Sequence, residues 1–278
     1  MGITPEQRER RRHWIGASDS ALIMGCSPWG SAYDLWLEKT GRVTRDLEEM
    51  NEGMENGNRL EDTLVSWAAE NIGLPVRRNV ECPPAEGSVM GANFDGLVDG
   101  APIGIEAKYS RFADDWGAAG SDEIPLQYIV QCQHQMHVGH LDIIHVPAFV
   151  DYSFRLYYVR RDDELCEEIV RQCEAFWECV RSDTPPSNCL PSLRSAELWE
   201  RNSDVVMEVP DDVAAAWIEE RNARLARKKV EEKLRIRILT AMMGSRVARC
   251  SLGTFTYKGT TPTLRFTPDT TTRSIEDD

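Results

Sequence analysis

The 278-residue chain is long enough to bury a large core, and it fits one sizeable domain with an appendage or two modest domains. Its composition is ordinary for a globular protein, and its net charge of -14 argues against generic coating of nucleic acid, because phosphate affinity comes mainly from Lys and Arg. No run approaches the roughly 18 apolar residues of a membrane span, and the N-terminus lacks the apolar region of a secretory signal, so we expect a soluble cytoplasmic protein.

Two short helices are predicted near the N-terminus. In "GASDSALIMG", Ser18 is a plausible N-cap and Gly25 ends a helix of about two turns. "SAYDLWLEKTG" repeats this pattern, with Ser31 as the cap and Gly41 at the end. The helical spacing of the apolar residues between Ser31 and Gly41 predicts that Trp36 lies in the core.

A longer helix is predicted from about 54 to 72, and extended segments follow it. Leu64 and Trp67 lie on its apolar side, and Glu61 lies one step round from that side. The extended segments are "LPVRRNVEC", "SVMGANFDGLVD" and "APIGIEAKY". The last two are joined at Asp99-Gly100, which is a strong hairpin signal.

Helices and strands alternate through the next part of the chain. "LQYIVQCQHQMHVG" predicts a helix, "DIIHVPAFV" and "YSFRLYYVR" predict apolar strands, and another helix is expected from about 162 to 181. This order predicts an α+β fold in which helices flank a mixed sheet.

The character of the sequence changes beyond residue 195. Residues 211–243 predict one long helix, and a small hairpin and a polar tail follow it. Heavy charge between the apolar positions of the helix favours a solvated arm that packs one face over a dedicated DNA or partner surface, although residues 219–237 contain a local surplus of eight Lys and Arg over four Glu. We therefore predict a core over residues 1–194 and a C-terminal helical extension over residues 195–278.

The hairpin "GANFDGLVDGAPIGIEAK" gathers two acids and a lysine. The period of two along a strand sends Glu106 and Lys108 to one face, and Asp95 on the partner strand can approach Glu106 if the register allows. Adjacent carboxylates repel each other unless a positive group lies between them, and Mg²⁺ is the natural candidate, with the Ala107 carbonyl as a third ligand. Lys108 would orient or deprotonate a metal-bound water. The pattern indicates metal-assisted phosphodiester hydrolysis, and a surface ion-pair network is the alternative.

Five blocks of the chain resemble, in order, the YqaJ-type viral recombinases, which are phage exonucleases related to lambda exonuclease within the PD-(D/E)XK nuclease superfamily. The blocks are "IGASDSALIMGCSPWGSAYDLWLEKTG", "GNRLEDTLVSWAAENIG", "MGANFDGLVDG", "IGIEAK" and "IVQCQHQMHVG". The resemblance covers roughly residues 11 to 180. It implies a restriction-endonuclease-like PD-(D/E)XK core and a metal-dependent exonuclease that digests duplex DNA 5′→3′ from its ends, leaving 3′ single strands for recombination.

The resemblance also implies the catalytic residues. Asp95 and Glu106 match the metal ligands of the hairpin, and the carbonyl of Ala107 fits a third. Glu61 matches a helix acid that reaches the metal directly or through water. Lys108 matches the lysine of the "ExK" signature.

Further polar residues match substrate-binding positions of the family. The family's glutamine matches Gln131 or Gln133, of which we favour Gln133 for the catalytic role and Gln131 for DNA binding. Arg11 and Ser18 match an arginine and serine pair that binds the 5′ phosphate in lambda-like members, and Arg12 is the alternative to Arg11.

Cofactors and partners follow from the same resemblance. We expect Mg²⁺, for which Mn²⁺ can substitute, and no iron–sulfur cluster, because the eight cysteines lack the close pair that such a cluster requires. The implied partners are double-stranded DNA ends, a single-strand annealing protein and further copies in a homo-trimer, with no membrane, in a bacterial or phage-infected host cytoplasm. A related endonuclease and a catalytically silent DNA-end or protein-binding module are the alternative functions.

Overall fold

The computed structural model describes residues 10–43, 52–187, 189–197, 206, 208–258 and 263–268. Its helices are α1 (Ala17–Ile23), α2 (Ala32–Lys39), α3 (Glu52–Ile72), α4 (Leu126–Gly139), α5 (Asp163–Arg181), α6 (Leu193–Glu197) and α7 (Asp211–Met242). Its strands are β1 (Val76–Cys82), β2 (Ala92–Val98), β3 (Ile103–Ile105), β4 (Lys108–Ser110), β5 (Ile143–Val150), β6 (Ser153–Arg160), β7 (Val247–Cys250), β8 (Gly253–Lys258) and β9 (Thr263–Pro268).

A mixed sheet with the strand order β1-β2-β3-β5-β4 lies at the centre of the fold, and β6 also pairs with β5. β1, β2 and β3 pair antiparallel, whereas β3 and β4 both pair parallel to β5. Ile103 lies opposite Ile143 and Lys108 lies opposite Ala148, so β3 and β4 share one register and lie end to end along β5. The predicted α+β class with a mixed sheet is confirmed.

The hydrogen-bond ladder is interrupted between β3 and β4, at Glu106 and Ala107. The Glu106 N–H still donates to the His145 carbonyl at 3.0 Å. The next ladder bond would run from the N–H of residue 147 to the Glu106 carbonyl, but Pro147 has no N–H. The Ala107 N–H donates instead to Asp95 Oδ2 at 2.8 Å. The single strand predicted for "APIGIEAKY" is therefore two strands.

Helices cover both faces of the sheet. On one face, Val65 of α3 packs in a small apolar cluster with Ile105. On the other face, Met136 of α4 packs with Phe94 and Ile144 in the main core. Successive strand residues point to opposite faces, so Glu106 points towards α4 when Ile105 points towards α3.

α1, α2 and α5 enclose a further apolar cluster. Trp36 is 4% exposed, which confirms its predicted place in the core. The N-cap of α1 is Gly16 and not Ser18, because the Asp19 carboxylate accepts the Gly16 N–H at 3.0 Å. The predicted cap at Ser18 is therefore wrong, and Ser18 lies exposed in the first turn of the helix.

The chain divides into two compact units, Met1–Glu200 and Arg201–Asp278. The second unit contains α7 and the antiparallel sheet β7-β8-β9, of which β7 was not predicted. Most side chains of α7 are exposed. Within the described ranges, no helix has both the length and the apolar character needed to cross a bilayer.

Candidate active site

Glu106 and Lys108 point together towards α4, as the alternation of strand residues predicted. Lys108 Nζ donates to Glu106 Oε1 at 2.7 Å and to Gln131 Oε1 at 2.9 Å. Gln131 Nε2 donates to Glu106 Oε1 at 2.6 Å, and Gln135 Nε2 donates to Glu106 Oε2 at 2.5 Å. The Glu106 side chain is 7% exposed, so protein donors rather than solvent fix its orientation.

Two further carboxylates act on this cluster. The β2–β3 register, extended by one residue, puts Asp95 opposite Glu106. Burial raises the pKa of Asp95 well above its ordinary value, the charges of Glu106 and Glu61 raise it further, and Lys108 opposes the shift. Because Asp95 interacts electrostatically with both other acids, ionising it beside them is costly unless a cation joins the group.

Lys108 is held as a cation. Burial alone would lower its pKa, but the Glu106 carboxylate at 2.7 Å raises the pKa of Lys108 above its ordinary value. The ammonium also lies 4.6 Å from the centroid of the Tyr128 ring, which adds a cation–π contact. This arrangement favours an electrostatic and orienting role for Lys108 over that of a proton acceptor.

The oxygen donors at this point fit a hard divalent cation. Glu106 accepts three hydrogen bonds of the roughly four that a carboxylate can accept, which leaves one position for a further ligand. In the described part of the chain, Gln135 Oε1 and Asn93 Oδ1 are buried without a partner, and the Gln135 amide contacts both Glu106 and the Asn93 carbonyl. No three His, Cys, Asp or Glu side chains among the described residues form a metal-binding group by themselves. Asp95 and Glu106 suit Mg²⁺, which commonly takes one or two carboxylates and completes its shell with water and phosphate.

Gln133 does not reach this cluster, which corrects the role that we favoured for it. Its Nε2 donates to the Arg160 carbonyl at 2.8 Å, and its Oε1 accepts the Asp162 N–H at 2.9 Å. Residues two apart on a helix face different directions, so only one of Gln131 and Gln133 can contact Lys108. Gln131 makes that contact, and Gln133 joins the end of β6 to the start of α5.

Gln135 belongs to the cluster although it is not among the predicted site residues. It lies one helical turn after Gln131, and residues four apart share a helix face. The spacing Gln-x3-Gln was therefore the signal that identified it. The pattern was obscured because almost every residue from Val130 to Met136 is buried, so α4 shows no simple polar face.

His134 is a structural residue in this fold. Its Nε2 lies 2.9 Å from the Gly91 carbonyl, and its Nδ1 lies 2.5 Å from Ser20 Oγ. A carbonyl only accepts hydrogen bonds, so Nε2 carries the proton and Ser20 donates to Nδ1. Burial lowers the pKa of His134 to about 4, which keeps the ring neutral.

Arg11 and Ser18 lie together at the start of α1. Arg11 Nη2 donates to Ser18 Oγ at 3.0 Å, so Arg11 rather than Arg12 contacts this serine. Asp19 is 4.0 Å from Arg11 and 2.9 Å from Lys39. Burial alone would raise the pKa of Asp19, but the charges of Lys39 and Arg11 bring it well below its ordinary value.

Lys39 fixes the segment that carries this pair. Its Nζ donates to the Arg11 carbonyl at 2.6 Å, the Trp14 carbonyl at 2.7 Å and Asp19 Oδ2 at 2.9 Å. Its side chain is 2% exposed. The backbone at Arg11 is therefore tied to α2 by a buried ammonium group.

Sheet, helices and carboxylate–lysine cluster together define a PD-(D/E)XK nuclease fold. The alkaline exonuclease LHK-Exo from Laribacter hongkongensis superposes with a TM-score of 0.53 at 21% identity, over 65% of this chain and 94% of that one. LHK-Exo in complex with dAMP gives a TM-score of 0.52 at 20% identity, over 64% and 93% of the two chains. At these identities the likeness shows a shared fold.

The sequence then identifies the particular family. Residues 7–142 match the family model of the YqaJ-like viral recombinase domain. The uncharacterized protein YqaJ of Bacillus subtilis (strain 168) is 31% identical over 176 residues, which are 60% of this chain and 53% of that protein. The chain thus spans about half the length of the curated relative that it matches. Residues 7–142 are thus similar to the YqaJ-like viral recombinase domain, and the family resemblance predicted from the sequence is confirmed.

Proposed function

We propose that this protein is a metal-dependent DNA exonuclease that hydrolyses phosphodiester bonds from duplex ends. It would digest the 5′-ended strand and leave a 3′ single strand for phage-type homologous recombination. The observation that carries the proposal is the cluster of Glu106, Lys108 and Gln131 beside Asp95. The cluster lies in a chain with a viral recombinase-like domain and a fold shared with an alkaline exonuclease.

The acids of the cluster would hold the metal. Asp95 and Glu106 are the proposed ligands of Mg²⁺ or Mn²⁺, with Glu61 and the Ala107 carbonyl as further ligands. When bound, the ion would polarise the scissile phosphate and make a bound water more acidic. Lys108 would stabilise the negative charge that develops on the phosphate as the bond breaks.

The glutamines of α4 keep the charged groups in position. Gln131 bridges Lys108 and Glu106, which holds the ammonium group and the carboxylate in one orientation. Gln135 occupies the other oxygen of Glu106, so the carboxylate cannot rotate without losing a buried hydrogen bond.

Arg11 and Ser18 would bind the 5′ phosphate of the strand being digested. The arginine guanidinium can donate to two phosphate oxygens, and the exposed serine hydroxyl beside it supplies another donor. Because Lys39 holds the Arg11 backbone in place, the pair is ordered before the phosphate arrives.

The wider proposals follow from the family resemblance. They are an exonuclease core over residues 1–194, a C-terminal extension over residues 195–278, a single-strand annealing partner, a homo-trimer and action in the bacterial or host cytoplasm. Light scattering that reports only monomer would exclude the trimer.

Digestion of end-labelled linear duplex DNA in Mg²⁺ tests the proposed activity. The wild-type protein should digest a 5′-labelled strand from its end and leave closed circular DNA intact. Asp95→Asn should abolish digestion, and Lys108→Ala should slow it about 10²–10³-fold, because a charge that stabilises the transition state is lost. A duplex without 5′ phosphate should be digested more slowly if Arg11 and Ser18 bind that group.

Asp99→Asn is the matched control. Asp99 lies in the same hairpin but is exposed and pairs with Arg77 at 2.8 Å, so its removal should leave digestion unchanged. Unchanged digestion by Asp95→Asn would exclude the proposed site, and cleavage of closed circles would indicate an endonuclease.

A further inference from the structure

Positive charge is concentrated in one segment of this acidic chain. Residues 1–200 contain 18 Lys and Arg against 34 Asp and Glu, a net charge of -16. Residues 221–265 contain 12 Lys and Arg against 2 Glu, a net charge of +10. A basic segment of this density within an acidic protein indicates a polyanionic ligand.

One row on α7 presents part of this charge with a single acidic neighbour. Lys229, Lys233 and Arg237 are four residues apart, so they lie on one face of the helix. All three side chains are exposed, and none forms an ion pair within the part of the chain that the structure describes. Asn222 and Thr240 extend the same face over about 27 Å at 1.5 Å per residue, and the one acid at helical spacing to the three cations is Glu232, three residues after Lys229.

A second row of the same charge differs in its neighbours. Arg221, Arg224 and Lys228 lie about 150° away round the helix axis at 100° per residue. Glu220 precedes Arg224 by four residues, and Glu231 and Glu232 follow Lys228 by three and four, so three acids at helical spacing offset this row. The two rows therefore have equal charge and unequal compensation.

The apolar residues of α7 favour nucleic acid over a membrane surface. Ile218 and Ile236 flank the Lys229 row on one side, and Val230 and Leu234 flank it on the other. A helix that lies on a bilayer needs one continuous apolar face opposite its basic face. The apolar side chains of α7 instead border the basic row on both sides.

We propose that the row formed by Lys229, Lys233 and Arg237 binds the phosphate backbone of DNA. The inference rests on the proposed function, because DNA is the substrate there. It adds backbone contacts from the second unit to those of the candidate active site. Contacts of this kind carry no sequence preference and are strongly salt-dependent.

Anisotropy of a fluorescein-labelled 30-base-pair duplex tests the proposal on the full-length protein. Titrations in EDTA, without divalent metal, at several NaCl concentrations give binding without digestion. Replacing Lys229, Lys233 and Arg237 by Gln should make the slope of log K against log[NaCl] shallower by about 2.7, or about 0.9 for each lost phosphate contact. Binding at 100 mM NaCl should weaken by about tenfold or more.

The control replaces Arg221, Arg224 and Lys228 by Gln, which removes the same charge from the same helix. It should change the slope by less than about 1. Equal shifts in the two variants, or an unchanged slope in the first, would overturn the proposal. Unchanged duplex binding with lost binding to phosphatidylserine vesicles would assign the row to a membrane and also overturn it.

Two further measurements complete the design. Titration of a 30-nucleotide single strand tells whether the row binds single-stranded DNA as well as duplex DNA. If it does, the slope of log K against log[NaCl] for the single strand should become shallower by about 0.7 for each lost phosphate contact. Digestion of linear duplex in Mg²⁺ by both variants separates the two proposals. If the wild type digests DNA but replacement of the Lys229 row leaves the salt slope of binding unchanged, only the inference on α7 fails. If no preparation digests DNA, the proposed function fails.

Discussion

Glu106 accepts hydrogen bonds from side chains on two different elements, so the role of each donor can be tested by a separate substitution. Lys108 comes from the next strand, whereas Gln131 and Gln135 come from α4. Gln133 lies between these glutamines in sequence but bonds to groups beyond the site, which are the Arg160 carbonyl, the Asp162 N–H and the Cys166 thiol. Gln131 and Gln133 are thus two neighbouring amides with separable effects on activity and stability.

Gln131→Ala should lower the rate of duplex digestion about 10–100-fold, because Lys108 and Glu106 lose the group that orients both of them. Its free energy of unfolding should change little. Gln133→Ala should instead lower the free energy of unfolding by about 1–3 kcal/mol, because the Arg160 carbonyl and the Asp162 N–H lose their buried partner. Digestion rates and urea denaturation of both variants measure the difference, and the reverse pattern would return the catalytic role to Gln133.

Much of the candidate site could be predicted from strand periodicity alone. Alternation placed Glu106 and Lys108 on one face, and the structure confirms that contact. The choice between Gln131 and Gln133 could not be predicted in this way, because α4 is buried on several sides and its polar residues do not mark one face. Only the packing of α4 between the sheet and α5 decides which amide meets Lys108.

Asp19 and Lys39 form a buried ion pair that contributes to stability. Asp19→Asn should lower the free energy of unfolding by about 3–5 kcal/mol, because it leaves the buried Lys39 ammonium without a counter-charge. The pKa of Asp19 is lower in the folded state than in the unfolded chain. Its contribution is therefore complete above about pH 4 and is lost as the pH falls further. Urea denaturation at several pH values from neutral to acidic measures how the free energy of unfolding depends on pH. Asp19→Asn should lose less stability on acidification than the wild type.

Asp183→Asn is the matched control for Asp19. Its hydrogen bond to Arg42 also lowers the pKa of Asp183, but both side chains of this pair are exposed. Solvent screening makes such pairs weak, so this variant should unfold almost as the wild type does. Equal losses in the two variants would show that burial of Lys39 does not determine the effect.

At the scale of elements, β3 depends on the absence of a side chain at Gly104. A Cβ at this position would overlap the Ile144 side chain and lie 2.9 Å from Leu141 Cδ1. Both neighbours are buried, so neither can move freely. Gly104→Ala should therefore cost about 1–3 kcal/mol in the free energy of unfolding. Because β3 leads directly into Glu106, the rate of digestion should fall as well.

Gly57→Ala provides the comparison for Gly104. Gly57 lies in α3, and the one neighbour that a Cβ there would contact among the described residues outside its own helix is Tyr109 Cβ at 3.7 Å, an ordinary distance. Alanine favours a helix over glycine by about 1 kcal/mol, so this variant should be as stable as the wild type or more stable. Urea denaturation of both variants is the measurement, and equal stability would contradict the close packing described for β3.

The helices and strands of the first unit could be predicted closely because their signals are local. Apolar spacing predicted α4 and α5, and Asp99-Gly100 predicted the turn between β2 and β3. The division of the third strand could not be predicted from its own residues. Its cause is Pro147, which is forty-one residues beyond Glu106 in sequence and becomes its neighbour only through the register of β5.

At the scale of the whole molecule, the net charge conceals an uneven distribution. The value of -14 argued against generic coating of nucleic acid, and residues 1–200 alone carry -16. Residues 201–278 contain 14 Lys and Arg against 12 Asp and Glu, so the second unit has a net charge of +2. The prediction of a solvated arm rested on the heavy charge along α7 as a whole and did not distinguish its two basic rows. Helical spacing separates a row with three acidic neighbours from a row with one, and only the second motivates a DNA contact.

The hydrogen bond from Ala107 to Asp95 also has a consequence for amide exchange. Inner strand amides usually resist deuterium exchange because a neighbouring strand's carbonyl holds them. The Ala107 amide is held by a carboxylate side chain instead, since Pro147 interrupts the ladder beside it. Its exchange rate therefore depends on the orientation of one acid and not on the opening of the sheet. Ala107 is thus a backbone reporter for the state of Asp95.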